Sequence, residues 1–184
     1  MYPVYSTEGI ILGSKDFGEA SRIFLVFTRE FGLIRLQGQS IRKITSKLRY
    51  QLEDYSLLKL EVIKGKEIWR PVVAEKILRF SQNFKTIVNI SKLVLRLCDL
   101  EEKNELLFED LKSGFLLLQK NELETKALEA VLVLRILSHL GYIGDRELLS
   151  FVQPTFDEDI FIKAKSNLVR IIPTINEALK QSQL

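Results

Sequence analysis

The sequence predicts an α+β chain in which a five-stranded β-barrel precedes an all-α helical domain. Three observations carry that reading. From residue 7 to residue 74, apolar residues alternate with polar ones or form short runs closed by glycine, as strands do. From residue 84 onward they recur every three or four positions, as on helices. Between the third and fourth strand runs lies RLQGQSIRKITSKLR, which carries five basic residues and no acidic one. That stretch is too polar for a core.

The strands follow in order. Residues 7–13 (TEGIILG) are the first β-rich run and residues 21–28 (SRIFLVFT) the second. Phe31-Gly32 is a turn signal, so a hairpin around 29–32 leads into 33–38 (LIRLQG), where Arg35 alternates with Ile34 and Leu36. A second hairpin turns at Lys64-Gly65 and joins 55–63 (YSLLKLEVI) to 66–74 (KEIWRPVVA). In its first strand Lys59 and Glu61 alternate with Leu58, Leu60 and Val62. Five strands, glycine turns and a basic excursion after the third describe the five-stranded Greek-key barrel called the OB-fold, here over residues 1–79.

The helical domain, residues 80–184, begins where alternation gives way to helical spacing between 75 and 84. Residues 84–100 place Ile87, Ile90, Val94, Leu97 and Cys98 on one side, and residues 105–118 do the same with Leu107, Leu111, Phe115 and Leu118. Residues 122–140 make the strongest helix, which Gly141 ends. A short helix over 145–152 is broken by Pro154, and two more, 157–168 and 175–184, lie on either side of Pro173. No repeat of 20–50 residues suggests a solenoid.

Charge is distributed unevenly. Residues 1–79 hold 14 Lys and Arg against 9 Asp and Glu, whereas residues 80–184 hold 13 against 15. An anionic partner is drawn to the first half. Arg35, Arg42, Lys43, Lys47 and Arg49, with Ser40, Thr45 and Ser46 between them, suit a phosphate backbone: cations displace counterions and hydroxyls donate to phosphate oxygens. Arg22, on the second strand, joins this set. The bland alternative is a solvated loop that keeps the protein soluble. Trp69 reads as a barrel residue that buries its ring, with base stacking as the alternative, and the same question attaches to Phe17 and Tyr50.

Other functions find little support. The one histidine, His139, sits on an apolar helix and reads as structural. No nucleophile elbow, phosphate loop or dinucleotide fingerprint is present, so no catalytic residue is assigned and an enzyme is not expected. Glu101, Glu102, Glu105, Glu109 and Asp110 read as a solvated helix cap rather than a metal site, and Asp157, Glu158 and Asp159 as helix N-terminal carboxylates. Cys98 is the one cysteine, which excludes an internal disulfide and a thiolate cluster. No cofactor or metal is expected. No apolar run approaches the roughly 20 residues of a membrane span. The N-terminus, with Glu8 and Asp16 early and no basic n-region, does not resemble a secretory signal. A cytoplasmic location follows as the expectation.

The order of these features resembles the RecO family of bacterial recombination mediators. The matching elements are Glu19 before the second strand, FTRE at 27–30 followed by Gly32, the basic pair Arg42-Lys43, and Ser46-Lys47-Leu48 leading to Leu52. NELLFEDL at 104–111 and RILSHLGY at 135–142 resemble that family's helical domain. The resemblance covers about residues 7–142. It implies an OB-fold joined to helices, sequence-independent binding of single- and double-stranded DNA, and annealing of complementary strands. It also implies help in loading RecA onto strands coated by single-strand binding protein, with RecR as partner. The helical domain would receive the acidic, apolar-ended tail of the single-strand binding protein, for which Lys92, Arg96 and Arg135 are candidate contacts. Family members usually continue beyond the Gly-Tyr with a segment that in many carries a four-cysteine zinc site. None is expected here. The family's basic residue before the loop glycine is Gln37 in this chain. Two rival readings stand beside this one: a protein-binding adaptor of the repair machinery with little DNA affinity, and an RNA-binding OB-fold protein.

Overall fold

The computed structural model describes residues 2–120, 125–144, 148–152 and 158–181. Five strands come first: β1 (Val4–Phe17), β2 (Ser21–Thr28), β3 (Gly32–Gly38), β4 (Ser56–Lys64) and β5 (Trp69–Arg79). They close a barrel in the order β1-β2-β3-β5-β4, the OB-fold topology. β1 is long because it serves two neighbours: Val4 to Ile10 pairs with β4, and Gly9 to Phe17 pairs with β2, with a bulge between Ile11 and Gly13 that bends it from one to the other. Closure is by a single parallel pair, Leu36 with Trp69. The segment between β3 and β4 carries one short 3-10 turn, Lys47–Tyr50.

The first strand reads as a continuous apolar run because both of its faces are buried. Ile11 points into the barrel with Phe24, Val26, Ile34, Leu36, Leu58, Leu60, Val62 and Trp69. Ile10 and Leu12 point outward and join Phe27, Leu33 and Leu57 against the helices. A strand sandwiched between two cores loses the polar half of its alternation. Trp69 is 3% exposed, so the buried reading of its ring holds. It stacks tilted on Phe31 at 4.8 Å, with Tyr5 edge-on to both.

Among the described residues four α-helices follow: α1 (Phe84–Leu97), α2 (Glu105–Lys120), α3 (Thr125–His139) and α4 (Glu158–Gln181). α3 is apolar almost all round, with Leu128, Val131, Leu132, Leu134, Ile136 and Leu137 buried, because it lies between α1, α2 and α4. Two expectations need correction. The helices predicted at 157–168 and 175–184 are one helix, α4, with Pro173 inside it. Pro173 faces solvent, where the carbonyl it leaves without an N–H can be hydrated, and the Thr174 hydroxyl donates to the Arg170 carbonyl at 3.1 Å. The short helix expected at 145–152 shrinks to a 3-10 turn, Leu149–Phe151, and its first residues, like Asp157, lie outside the described residues.

The barrel and the helices meet through a strap. Leu100 bridges Leu33, the Glu101 amide donates to the Leu33 carbonyl at 2.8 Å, and Glu101 itself has φ of 61°. Gly32, at φ of 65°, passes so close that a Cβ there would stand 1.9 Å from the Glu102 carbonyl oxygen. Only glycine meets both demands. Of the carboxylates expected to form a solvated cap, Glu102 and Glu105 are exposed, Asp110 is buried, and Glu101 and Glu109 reach partners on the barrel. Glu101 accepts from the Trp69 indole at 2.8 Å and from Lys64, and Glu109 pairs with Arg29. Lys112 pairs with Glu8 at 2.7 Å. Packing of α2 against the barrel brings these charges from sequence-distant elements into one joint.

Candidate nucleic-acid interface

The basic segment is anchored rather than loose. Ile41 and Leu52 enter the end of the barrel and are 4% and 3% exposed, so the segment is tethered at both ends by apolar burial. Its backbone is also pinned. The Arg42 amide donates to Ala20 O at 2.9 Å and the Leu52 amide to Leu48 O at 2.9 Å. From β5, Lys76 donates its amide to Gln51 Oε1 at 2.9 Å and its Nζ to Tyr50 O at 2.8 Å.

This fixed loop, the start of β2 and the end of β5 enclose a cleft of about 560 Å³. Arg22, Arg42, Arg49 and Arg79 line it over a floor of Phe24, Ile41 and Leu52, and Glu53 and Asp54 stand in the same wall. Alternation explains Arg22: it shares the inward face of β2 with Phe24 and Val26 but lies at the strand's end, so its guanidinium emerges at the barrel mouth. Asp16 holds two of these cations, Arg22 at 2.8 Å and Arg42 at 3.5 Å, while Glu53 reaches Lys76 at 3.0 Å and Arg79 at 3.9 Å. Most of these side chains are more than a third exposed. Such pairs contribute about 0–1 kcal/mol each, so an incoming phosphate can exchange with a carboxylate at small cost.

The predicted site residues fall into three places. Arg22, Arg42 and Arg49 meet in the cleft. Lys43 and Lys47 are exposed along the loop beside it and have no ion-pair partner among the described residues. Arg35 is not with them. It stands on the outward face of β3 and lines a separate hollow with Leu25, Leu95, Cys98 and Asp99, between the barrel and α1. The alternation that buries Ile34 and Leu36 inside the barrel puts Arg35 outside it. Arg79 was missed in the sequence because β5 runs to Arg79, beyond the end predicted at residue 74.

The three cations proposed for an acidic tail also separate. Lys92 and Arg96 are exposed one turn apart on α1. Arg135 requires correction: it is 1% exposed, pairs with Asp110 at 2.6 Å and donates from Nε to the Phe151 carbonyl at 2.7 Å. A guanidinium sealed among helices cannot meet another protein's tail. His139 completes the cluster, its Nε2 2.7 Å from the second Asp110 oxygen. Burial, with Glu102 and Asp99 adding to it, pushes the Cys98 thiol up to about 12, so it is protonated and a poor nucleophile at neutral pH. The chain's single cysteine cannot supply a four-thiolate zinc centre.

Residues 1–75 match the family described as Recombination protein O N terminal. Similarity to curated proteins extends past the barrel. The chain is 29% identical over 150 residues to the DNA repair protein RecO of Thermodesulfovibrio yellowstonii, covering 77% of this chain and 59% of that protein. It is 28% identical over 151 residues to that of Heliobacterium modesticaldum, covering 79% and 54%.

The chain is similar to the RecO family.

With the RecO protein of Thermobifida fusca the identity is 35% over 65 residues, covering 35% of this chain and 27% of that one. The chain therefore spans less than two thirds of the length of these RecO relatives. The two longer RecO alignments span more residues than the barrel contains, so they reach into the helical part. Among the described residues no helix is long and apolar enough to cross a membrane.

Proposed function

We propose that this chain is a non-enzymatic, DNA-binding mediator of recombinational repair. It binds single- and double-stranded DNA without sequence preference and brings complementary strands together. The observation that carries the reading is the arginine cleft at the mouth of an OB-fold barrel, flanked by the exposed Lys43 and Lys47. Two phosphate backbones repel each other, and cations held on a rigid rim lower that repulsion enough for bases to pair. Arg22, Arg42 and Arg49, with Arg79 added, bind backbone in the cleft, and Lys43 and Lys47 extend the track. Arg35 is left a lesser role by its distance from the cleft wall.

By resemblance to the family, the chain helps RecA load on strands coated by single-strand binding protein, with RecR as partner, in the cytoplasm where chromosomal DNA lies. Lys92 and Arg96 on α1 are the cations offered to the acidic tail of the single-strand binding protein. Fluorescence anisotropy of a labelled oligonucleotide at several salt concentrations tests the core of this. Affinity should fall steeply with salt, with a logarithmic slope of about −0.7 per neutralised phosphate on single strands. Salt-independent binding refutes the mechanism. The adaptor reading draws on Asp16, Glu53 and Asp54, which offset part of the cleft's charge. It expects no DNA binding at any salt.

A further inference from the structure

Tyr50 is 63% exposed, although the loop that carries it buries Ile41 and Leu52 and partly buries Leu48. Interior space is therefore available to this loop, and the phenol ring is held out of it. The 3-10 turn Lys47–Tyr50 has three residues per turn, so Lys47 and Tyr50 share one side of it. The Arg49 guanidinium lies 6.0 Å from the Tyr50 ring centroid and also lines the arginine cleft. The backbone at Tyr50 is fixed to β5, because the Tyr50 carbonyl accepts from Lys76 Nζ at 2.8 Å. Ile44, 83% exposed, adds a second apolar surface to the same cationic loop.

We propose that Tyr50 is a stacking platform for an unpaired base of a single strand whose phosphates run through the adjacent arginine cleft. This rests on the nucleic-acid reading above and adds to it a means of telling single strands from duplex. A single strand repeats a flat π-face and a negative charge at every nucleotide. An aromatic ring beside cations, on a pinned backbone, matches both features with little ordering cost. In a duplex the bases are already stacked on one another, so the ring reaches them only after unstacking, while the phosphates stay accessible to the arginines. The cleft is thus indifferent to strandedness and Tyr50 is not. The neighbouring cations Lys47 and Arg49 favour an anionic strand over an apolar protein segment.

The test compares a labelled oligothymidylate and a hairpin duplex of equal length, each binding to wild-type chain, Tyr50→Ala and Tyr50→Phe. Tyr50→Ala should weaken single-strand binding about 5- to 150-fold, the usual range for one lost base stack, and change duplex binding by less than about twofold. Tyr50→Phe should bind as wild type does, since stacking needs the ring and not the hydroxyl. Tyr50→Trp should be quenched by the single strand, against the constant signal of buried Trp69. Wild-type binding to both nucleic acids with an unchanged Tyr50→Ala, or an equal loss on both, overturns base stacking and leaves the electrostatic reading intact. Oligoglutamate binding wild type as tightly as the oligonucleotide does overturns it in favour of an acidic protein partner. Failure of the wild type to bind either nucleic acid overturns the nucleic-acid reading itself.

Discussion

The packed interior of the helices and the open mouth of the barrel both set arginines against carboxylates, and they differ in access to water. Between the helices Arg135 and Asp110 are sealed from solvent, whereas at the barrel–helix joint Arg29 with Glu109 and Lys112 with Glu8 keep part of their water. At the mouth, Asp16 holds Arg22 and Arg42 in pairs that solvent reaches freely. A pair that has lost its water cannot be exchanged without leaving a buried charge, so it fixes structure. A pair that keeps its water contributes little and can be traded for a phosphate, so it is available for binding.

The comparison breaks most visibly in the packed regions. Gly32→Ala should destabilise the chain by about 3 kcal/mol or more, since it combines a side chain at positive φ with overlap on the Glu102 carbonyl. Chemical denaturation measures this, and a loss below about 1 kcal/mol would mean the strap shifts easily. Arg135→Ala should cost a similar amount, about 3–5 kcal/mol, by taking the guanidinium partner from the buried Asp110. The double variant with Asp110→Ala should cost less than the sum of the single losses.

At the mouth the expectation reverses. Replacing Arg42, Lys43 and Lys47 together by Glu should leave the melting transition nearly in place but abolish DNA binding at physiological salt. Replacing the same three by Gln should shrink the single-strand salt slope by about 2. Arg35→Glu should change DNA binding far less than Arg42→Glu, because Arg35 lines the hollow beside α1. Equal effects would dissolve the distinction between the two regions. Asp16→Asn should tighten DNA binding modestly, by freeing Arg22 and Arg42, at a stability change of about 0–1 kcal/mol.

The smallest effect belongs to Glu101. Its hydrogen bond from Lys64, then that from the Trp69 indole, holds its carboxyl below the ordinary value of 4.5. A depressed carboxylate contributes stability that is fully present above its unfolded pKa and is lost as pH falls through the folded one. Glu101→Gln should therefore flatten the acid side of the stability profile in that window and leave the pH dependence near neutrality unchanged. Denaturant midpoints between pH 3 and 6 test this, and parallel profiles would show the strap carboxylate to be a bystander.

Much of the barrel was legible in the sequence. β2 coincides with the predicted run, and β3 and β4 differ by about a residue at their ends, because alternation and glycine turns mark half-buried strands. The outer strands were less legible. β1 begins three residues earlier and β5 ends five residues later than predicted, in stretches that pair with neighbours without an apolar pattern of their own. The candidate site was legible as a charge run and not as a surface. Arg42, Lys43, Lys47 and Arg49 could be named from spacing alone. Arg79, Asp16 and Glu53 could not, since they join the cleft only through strand pairing and barrel closure.

By itself the sequence determined the α+β class, the five strands, the helical second half, the basic excursion after β3 and the likeness to the RecO family. Each of these is written in local period, composition and order. Tertiary structure alone decided which charges are sealed and which are exchangeable. It buried Arg135, carried Arg35 to the far face, brought Glu101 and Glu109 to the barrel–helix joint and left Tyr50 in solvent. The reason is physical: local periodicity depends on near neighbours along the chain, whereas the worth of a charge depends on the water and the partners that distant segments leave around it.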